Sequence, residues 1–165
     1  MTTPHLCVLD TCVASDVQAA GLWVEVSRLD IVFVIPQVVA VTEFRADDIL
    51  AAKDTGILVD SLSDDEELRT AALVTAYRRP SSNDLAALAL ARARGATLLT
   101  GDGPLRDAAT AESVPIHGVL WLLDQLVEFA IVPPSRAAAA LQSMLDDGSR
   151  LPPGECRRRL RSWRT

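Results

Sequence analysis

Four carboxylates have the residue type and the positions in this chain to support chemistry: Asp10, Glu43, Asp84 and Asp102. Asp10 and Asp102 follow apolar runs, whereas Glu43 and Asp84 lie in segments with helical spacing. Acids at the carboxyl ends of parallel strands can converge in one crevice of a sheet. Because a divalent cation is what neutralises such a cluster of like charges, the pattern predicts a metal-dependent hydrolase, most simply one that acts on phosphodiesters.

Each acid also has a structural alternative. Asp10 could be a helix N-cap, Asp84 a first-turn acid, and Asp102 part of the tight turn between two glycines. Glu43 lies between Val41 and Phe44, which is an unfavourable place for a solvated acid. Together the four carboxylates favour a functional site, because all of them are expected at one edge of the sheet or on the helices beside it.

A bound hard cation such as Mg²⁺ prefers oxygen ligands and keeps several waters. It can polarise a phosphoryl oxygen and lower the pKa of a water, so that no histidine or cysteine nucleophile is required. The chain has two histidines, His5 and His117, and neither lies near a plausible nucleophilic partner in the sequence. A metal-assisted reaction therefore fits the composition better than covalent catalysis.

Short apolar segments alternate with longer segments of helical period, which predicts an α/β fold with a central parallel sheet between two layers of helices. The clearest strand is IVFVI at 31–35, whose unbroken apolar run is typical of a strand covered on both faces. Strands are predicted at 5–10, 31–35, 57–62, 96–100 and 115–117. Helices are predicted at 13–28, 37–53, 64–77, 82–94, 104–112, 118–129 and 134–147. Ser63 with Glu66 predicts a capping box before the third helix, and Ser82 or Asn83 is expected to cap the fourth.

The 165 residues favour one domain, and the net charge of −6 argues against a protein that coats nucleic acid through overall positive charge. The same net charge is compatible with an enzyme that binds a short stretch of nucleic-acid backbone. The three cysteines lack metal-ligand spacing, and Cys7 and Cys12 are expected to pack as small apolar residues. No signal peptide or membrane-spanning run is visible, so a cytoplasmic protein with no membrane partner is expected.

The segments VLDTCV, VVAVTEF, SSNDLAALALARARGATLLTGDGPLRDAA and VPIHGVLWLLDQLVE resemble the successive motifs of the PIN-domain ribonuclease family. The resemblance covers nearly the whole chain and extends to short toxins of VapC type. It implies a three-layer α/β/α fold, Mg²⁺ or Mn²⁺ in an acidic pocket, and cleavage of single-stranded RNA. The domain would span 1–132, with a helical, arginine-rich extension at 133–165 packed on it.

Carried over by motif, Asp10 and Asp102 would be metal ligands, while Asp84 and Glu43 would complete the pocket directly or through water. Thr100 would form a hydrogen bond within the pocket. One departure concerns Cys12, because family members usually have asparagine or serine there and a thiol is a poor donor near a hard metal. A further acid, Asp107, is expected to be solvated.

Cations should line the path of RNA to a negative pocket, and the candidates are Arg45, Arg78, Arg79 and Arg106. The arginine-rich C-terminus could bind backbone with Trp163 stacking on a base, or it could be an amphipathic helix whose Leu160 and Trp163 pack on the body.

The main hypothesis is an endoribonuclease, the toxin partner of an antitoxin, and a homodimer could use the helix at 64–77. The alternative is a non-catalytic PIN-like module that binds RNA or protein. A third option is a different metal-dependent phosphohydrolase built on a similar sheet. An aspartyl-phosphate enzyme of this kind would need a second Asp where Cys12 stands, which counts against it.

Overall fold

The computed structural model describes residues 5–165 and contains a five-stranded parallel sheet in the order β3-β2-β1-β4-β5. The strands are β1 (His5–Leu9), β2 (Ile31–Pro36), β3 (Leu58–Asp60), β4 (Thr97–Leu99) and β5 (Ile116–His117). The helices are α1 (Thr11–Ala20), α2 (Trp23–Ser27), α3 (Gln37–Glu43), α4 (Ala46–Asp54), α5 (Asp64–Ala76), α6 (Ser82–Ala93), α7 (Gly103–Ala111), α8 (Val119–Glu128), α9 (Pro134–Asp146) and α10 (Pro153–Trp163). None of the helices within residues 5–165 has the length and apolar character that a bilayer crossing requires.

Side chains of the central strands alternate between two apolar clusters, one on each face of the sheet. Cys7, Leu9 and Phe33 belong to the cluster that contains α1, α8 and α9, whereas Val8 and Val34 belong to the cluster that contains α6 and α7. Successive residues of a strand point to opposite faces, so an uninterrupted apolar run fills both clusters. The predicted three-layer α/β/α fold is confirmed.

The helix predicted at 13–28 is instead two helices. Gly21 adopts a left-handed conformation with φ of +63° and ends α1, and its amide donates to the Gln18 carbonyl at 3.1 Å. The chain resumes as α2 at Trp23. Glycine is the residue that takes this conformation without a steric penalty, which explains the break.

The helix predicted at 37–53 is also broken, and this break positions a candidate site residue. Phe44 is extended, with φ of −129° and ψ of 156°, and its half-buried ring packs against the apolar cluster around α1. Neither glycine nor proline marks this point in the sequence. Glu43 therefore ends α3 and is not in the first half of a long helix as predicted.

Two helix starts follow the expected capping chemistry. The capping box of Ser63 with Glu66 is present at the start of α5, which confirms that prediction. The cap of α6 is Ser81, and the prediction of Ser82 or Asn83 was wrong by one or two residues. The Ser81 hydroxyl accepts from the Asp84 amide at 3.1 Å, so Asp84 holds the third position of a second capping box.

The last helices share the apolar cluster of α1 and α8. Helix α9 packs against α1, α8 and α10, and Trp163 of α10 is buried with 8% of its surface exposed. A buried ring is not available to stack on a base, so that role of Trp163 is excluded. Arg159 pairs with Asp124 at 2.7 Å across to α8. The boundary between a domain at 1–132 and an extension at 133–165 stays a prediction.

Candidate functional site

The pairing of β1 with β4 sets the first two residues of the site. Leu9 is in register with Leu99, and the Asp10 amide donates to the Leu99 carbonyl at 3.1 Å. Asp10 and Thr100 therefore leave adjacent strands side by side, at the carboxyl edge of the sheet. This is the edge at which open parallel sheets bind ligands.

Asp10 is both a helix cap and a buried acid with a free oxygen. Its Oδ1 accepts from the Val13 amide at 2.8 Å and caps α1, while the whole residue is 0% exposed. Its Oδ2 is buried and has no hydrogen-bond partner among residues 5–165, although the Thr100 hydroxyl lies beside the carboxylate. An unpaired buried carboxylate oxygen is costly, which makes it a place for a cation or a proton.

Asp102 stands at the start of α7 through a similar cap. Its Oδ2 accepts from the Leu105 amide at 3.0 Å, and its own amide donates to the Thr100 hydroxyl at 3.1 Å. The cap leaves the second oxygen of the Asp102 carboxylate for other partners. Thr100 is 0% exposed, and its hydroxyl holds the Asp102 amide inside the fold.

The other two acids are joined by an asparagine that the sequence prediction assigned only to helix capping. Asn83 Nδ2 donates to Glu43 Oε1 at 2.9 Å and to Thr42 Oγ1 at 2.7 Å, which ties the end of α3 to the start of α6. Asp84 is the next residue and is half-buried in the α6 capping box. The break after Glu43 is what brings its exposed carboxylate to this position.

The four acids lie within one electrostatic environment. Burial, reinforced by the charges of Asp84 and Asp102 and opposed by hydrogen bonds from the Thr100 hydroxyl and the Val13 amide, raises the pKa of Asp10 to about 7. Burial also raises the pKa of Asp84, reinforced by Asp102 and Glu43. Repulsion of this kind requires proximity, so Asp84 lies near Asp10, Asp102 and Glu43, while a shared role for the four acids stays a prediction.

The donor set fits a hard divalent cation in its chemistry. Asp10, Asp84 and Asp102 supply oxygen atoms, Asp10 Oδ2 lacks a partner within the described residues, and the repulsion among the acids would be relieved by positive charge. Within residues 5–165, however, no three or more histidine, cysteine, aspartate or glutamate side chains form a group that could hold a metal ion. The fit therefore lies in the chemistry of the donors, and a metal-binding role for these acids stays a prediction.

Two neighbouring clefts open near the carboxyl edge of the sheet. The first has a volume of about 480 Å³ and is lined by Cys12, Asp16, Asp102 and Arg150 among others. The second has a volume of about 540 Å³, and Arg106 is among its lining residues. Arg45 and Arg79 are exposed and line neither of these clefts, and a contact of any of the three arginines with substrate stays a prediction.

Sequence reasoning missed or misplaced two side chains of the first cleft. Asp16 is buried, accepts from the Ser149 hydroxyl at 3.1 Å, and has a pKa raised to about 6 by burial. Its position six residues after Asp10 on the same helix was the available signal. Cys12 is exposed in the cleft, so its predicted burial was wrong, whereas Cys7 is buried as expected. Asp107 is exposed, in agreement with a solvated acid.

The central parallel sheet between two layers of helices, with acids at its carboxyl edge, defines the chain as an α/β protein of the three-layer α/β/α class. A family model described as DUF3368, PIN domain, matches residues 6–165. The chain therefore belongs to the PIN-domain family, as the sequence resemblance indicated.

A solved structure agrees with this fold. The chain is similar to a PilT N-terminus domain protein from the hyperthermophilic archaeon Sulfolobus solfataricus P2, with 20% identity, a TM-score of 0.52, and coverage of 74% of this chain and 94% of the other. It also resembles a domain of a functionally unknown protein from Methanocaldococcus jannaschii DSM 2661, with 19% identity, a TM-score of 0.47, and coverage of 69% and 90%. No curated protein matches the sequence.

The buried carboxylate of Asp10 predicts a pH-dependent difference between the wild type and Asp10→Asn without metal. The folded pKa of about 7 exceeds the ordinary value of 3.8, so the folded wild type loses stability as pH rises from about 4 to 7. Asparagine retains an acceptor for the Val13 amide and does not titrate. We expect its stability relative to the wild type to increase by about 2–3 kcal/mol between pH 5 and pH 8.

Denaturant unfolding in EDTA at several pH values measures this difference. Asp107→Asn is the matched control, because it removes an exposed acid from α7. A difference between Asp10→Asn and wild type that stays constant from pH 5 to pH 8 would contradict a buried, desolvated carboxylate at position 10.

Proposed function

We propose that this protein is an Mg²⁺- or Mn²⁺-dependent endoribonuclease that cleaves single-stranded RNA. The observation that carries the proposal is Asp10, a fully buried acid with one oxygen unpaired within residues 5–165 and with Asp84 and Asp102 in its electrostatic environment. A purely structural helix cap has no need of burial beside other acids, because an exposed serine or asparagine caps equally well.

Each acid has a distinct task in this proposal. Asp10 and Asp102 bind the cation through the oxygens that their caps leave free, and Asp84 completes the site directly or through water. Bound there, the ion supplies polarisation of a phosphoryl oxygen and a lowered pKa for a water. Glu43 is exposed and held by Asn83, which suits a carboxylate that orients the attacking water and accepts its proton.

We expect the purified chain to cut single-stranded RNA with Mn²⁺ or Mg²⁺ and to be inactive with EDTA. Asp10→Asn and Asp102→Asn should lower kcat/KM by roughly a hundredfold or more, because each removes charge that a cation site requires. Cleavage of a fluorogenic oligoribonucleotide measures both effects. Asp107→Asn is the control for loss of an acid on α7 and should retain wild-type activity.

Melting curves of the same variants separate lost activity from lost folding. If wild type and Asp10→Asn leave RNA equally intact across metals and pH, the nuclease proposal fails. Cleavage that survives EDTA would reject the metal requirement alone.

The biological setting we propose for this activity is the toxin half of a toxin–antitoxin pair, supported by family membership and by apolar side chains left on the surface. Val41 and Leu68 are each 71% exposed, on α3 and α5, and offer contact area to an antitoxin or a second copy of the chain. Induced expression is expected to arrest growth, and Asp10→Asn expression at equal level is expected not to. If expression of the active enzyme does not affect growth, the toxin proposal fails, whereas the nuclease proposal is unaffected.

A second candidate function is a non-catalytic module that binds RNA or protein, and Cys12 is the observation that favours it. Although the residue as a whole is exposed, partial desolvation of its thiol and the charges of Asp10, Asp84 and Asp102 raise the thiol pKa to about 12, so the group stays protonated and is a weak hydrogen-bond donor. It lines the cleft beside Asp102, where a stronger polar partner would serve a metal site better.

Cys12→Ser supplies that stronger donor without a large change in volume. If the chain is a nuclease weakened by its thiol, we expect kcat/KM for RNA to increase several-fold, up to about tenfold. Cys7→Ser, at a buried position away from the cleft, distinguishes this effect from general thiol loss. Equal activity of Cys12→Ser and wild type would mean that Cys12 does not limit the reaction, and inactivity of both would favour the binding module.

A further inference from the structure

Two clefts adjoin one another, because Asp16, Gly101, Arg150 and Leu151 line both of them. Asp102 lines the first cleft, and the second is bordered by residues of α1, α7, α8 and α10. We call the second cleft, lined by Arg106, His117, Trp121 and Arg150 among others, the Trp121 groove. The Trp121 groove is therefore next to the cleft that contains a candidate metal ligand.

An aromatic pair stands in this groove. The rings of His117 and Trp121 are stacked, with centroids 4.2 Å apart and an angle of 5° between their planes, and both residues are half-buried. Burial lowers the pKa of His117, with His5 and Arg106 contributing, so the imidazole is neutral near pH 7. The pair is thus a flat, uncharged aromatic surface, which is the kind of surface on which nucleic-acid bases stack.

Two guanidinium groups of the groove are available for an anion. Neither Arg106 nor Arg150 forms an ion pair with an acid of residues 5–165. Arg159 also lines the groove, but it is committed to Asp124 and Glu155 at 2.7 and 2.9 Å. The cations therefore divide into one that fixes α10 to α8 and two that can contact phosphate.

Acids are outnumbered by arginines in the groove. Glu155 is paired with Arg159, and Asp16, whose pKa burial raises to about 6, is the one other acid of a lining that also contains Arg106 and Arg150. A basic and aromatic lining remains in a chain whose net charge is −6. Because the overall charge repels nucleic acid, a local concentration of cations with an aromatic surface is a specific feature and not a consequence of composition.

We propose that the Trp121 groove is a nucleotide-binding subsite for single-stranded RNA, in which one base extends the His117–Trp121 stack and the adjoining phosphates contact Arg106 and Arg150. The inference rests on the proposed function for the placement of this nucleotide next to the cleaved bond. The ligand is recognised by an aromatic face and by phosphate together. Free phosphate alone would lack the stacking contribution, and duplex RNA would not present an unstacked base.

Binding of a labelled oligouridylate to the full chain in EDTA, followed by fluorescence anisotropy, tests the groove without catalysis. We expect Trp121→Leu to weaken binding about 5- to 160-fold, since a stacked base is worth roughly 1–3 kcal/mol, and Trp121→Phe to remain within a few fold of wild type. Arg106→Gln should weaken binding and lower the slope of log Kd against log salt by about one. Arg161→Gln removes the same charge from an exposed position of α10 and should change Kd less than twofold.

Tryptophan fluorescence of the unmodified protein provides a measurement that needs no variant. The chain has three tryptophans, and Trp23 and Trp163 are buried with 6% and 8% exposed, so quenching by a stacked base reports on Trp121. Oligouridylate should quench this emission, whereas inorganic phosphate and duplex RNA at equal phosphate concentration should not.

The outcomes separate this inference from the nuclease proposal. If no metal supports cleavage but Trp121→Leu still weakens binding and quenching occurs, the subsite stands and the nuclease proposal fails. If the wild type cleaves RNA but no quenching occurs, or if Trp121→Leu and Arg106→Gln bind as wild type does, the subsite is overturned and the nuclease remains. Equal losses in Arg161→Gln and Arg106→Gln would also overturn it, because they would indicate binding by diffuse charge.

Discussion

The structure of this site depends on one backbone hydrogen bond at the end of two central strands, from the Asp10 amide to the Leu99 carbonyl. That bond extends β1 by one residue and carries a carboxylate into a position that water does not reach. Desolvation then raises the pKa of Asp10 and destabilises its charged form, and the apolar layers on both faces must offset this cost. Binding of a cation or a proton to the buried Asp10 carboxylate therefore lowers the free energy of the folded protein.

Local sequence chemistry was sufficient for most of the fold. The apolar run at 31–35 required a strand covered on both faces, and Ser63 with Glu66 specified the start of α5. Gly21 could have been recognised as the end of α1, because its left-handed conformation favours glycine. The break at Phe44 had no such local signal. It results from a long-range contact between the Phe44 ring and the main apolar cluster, and this contact places Glu43.

The site was predictable to the extent that topology determines it. Adjacent parallel strands bring Asp10 and Asp102 to the carboxyl edge of the sheet, independently of the conformation of the connecting loops. The hydrogen bonds of Asn83 to Glu43, and of Ser149 to Asp16, join residues separated by 40 and 133 positions, and no periodicity in the sequence encodes them. The arginines illustrate the same limit, because Arg150 comes from a distant loop and lines the groove while Arg45, two residues from Glu43, does not.

An aspartate can be interpreted from a sequence either as a helix cap or as a metal ligand. In this structure the two roles are compatible for the same residue. Asp10, Asp84 and Asp102 all lie in the first turn or at the cap of a helix, so three positive helix ends surround the acids. Each cap requires one carboxylate oxygen, and a carboxylate has two. The helix ends also lower the free energy of the repelling charges before any cation binds. A capping position is therefore no argument against an acid as a ligand, since it supplies both the orientation and part of the compensation that a cluster of carboxylates needs.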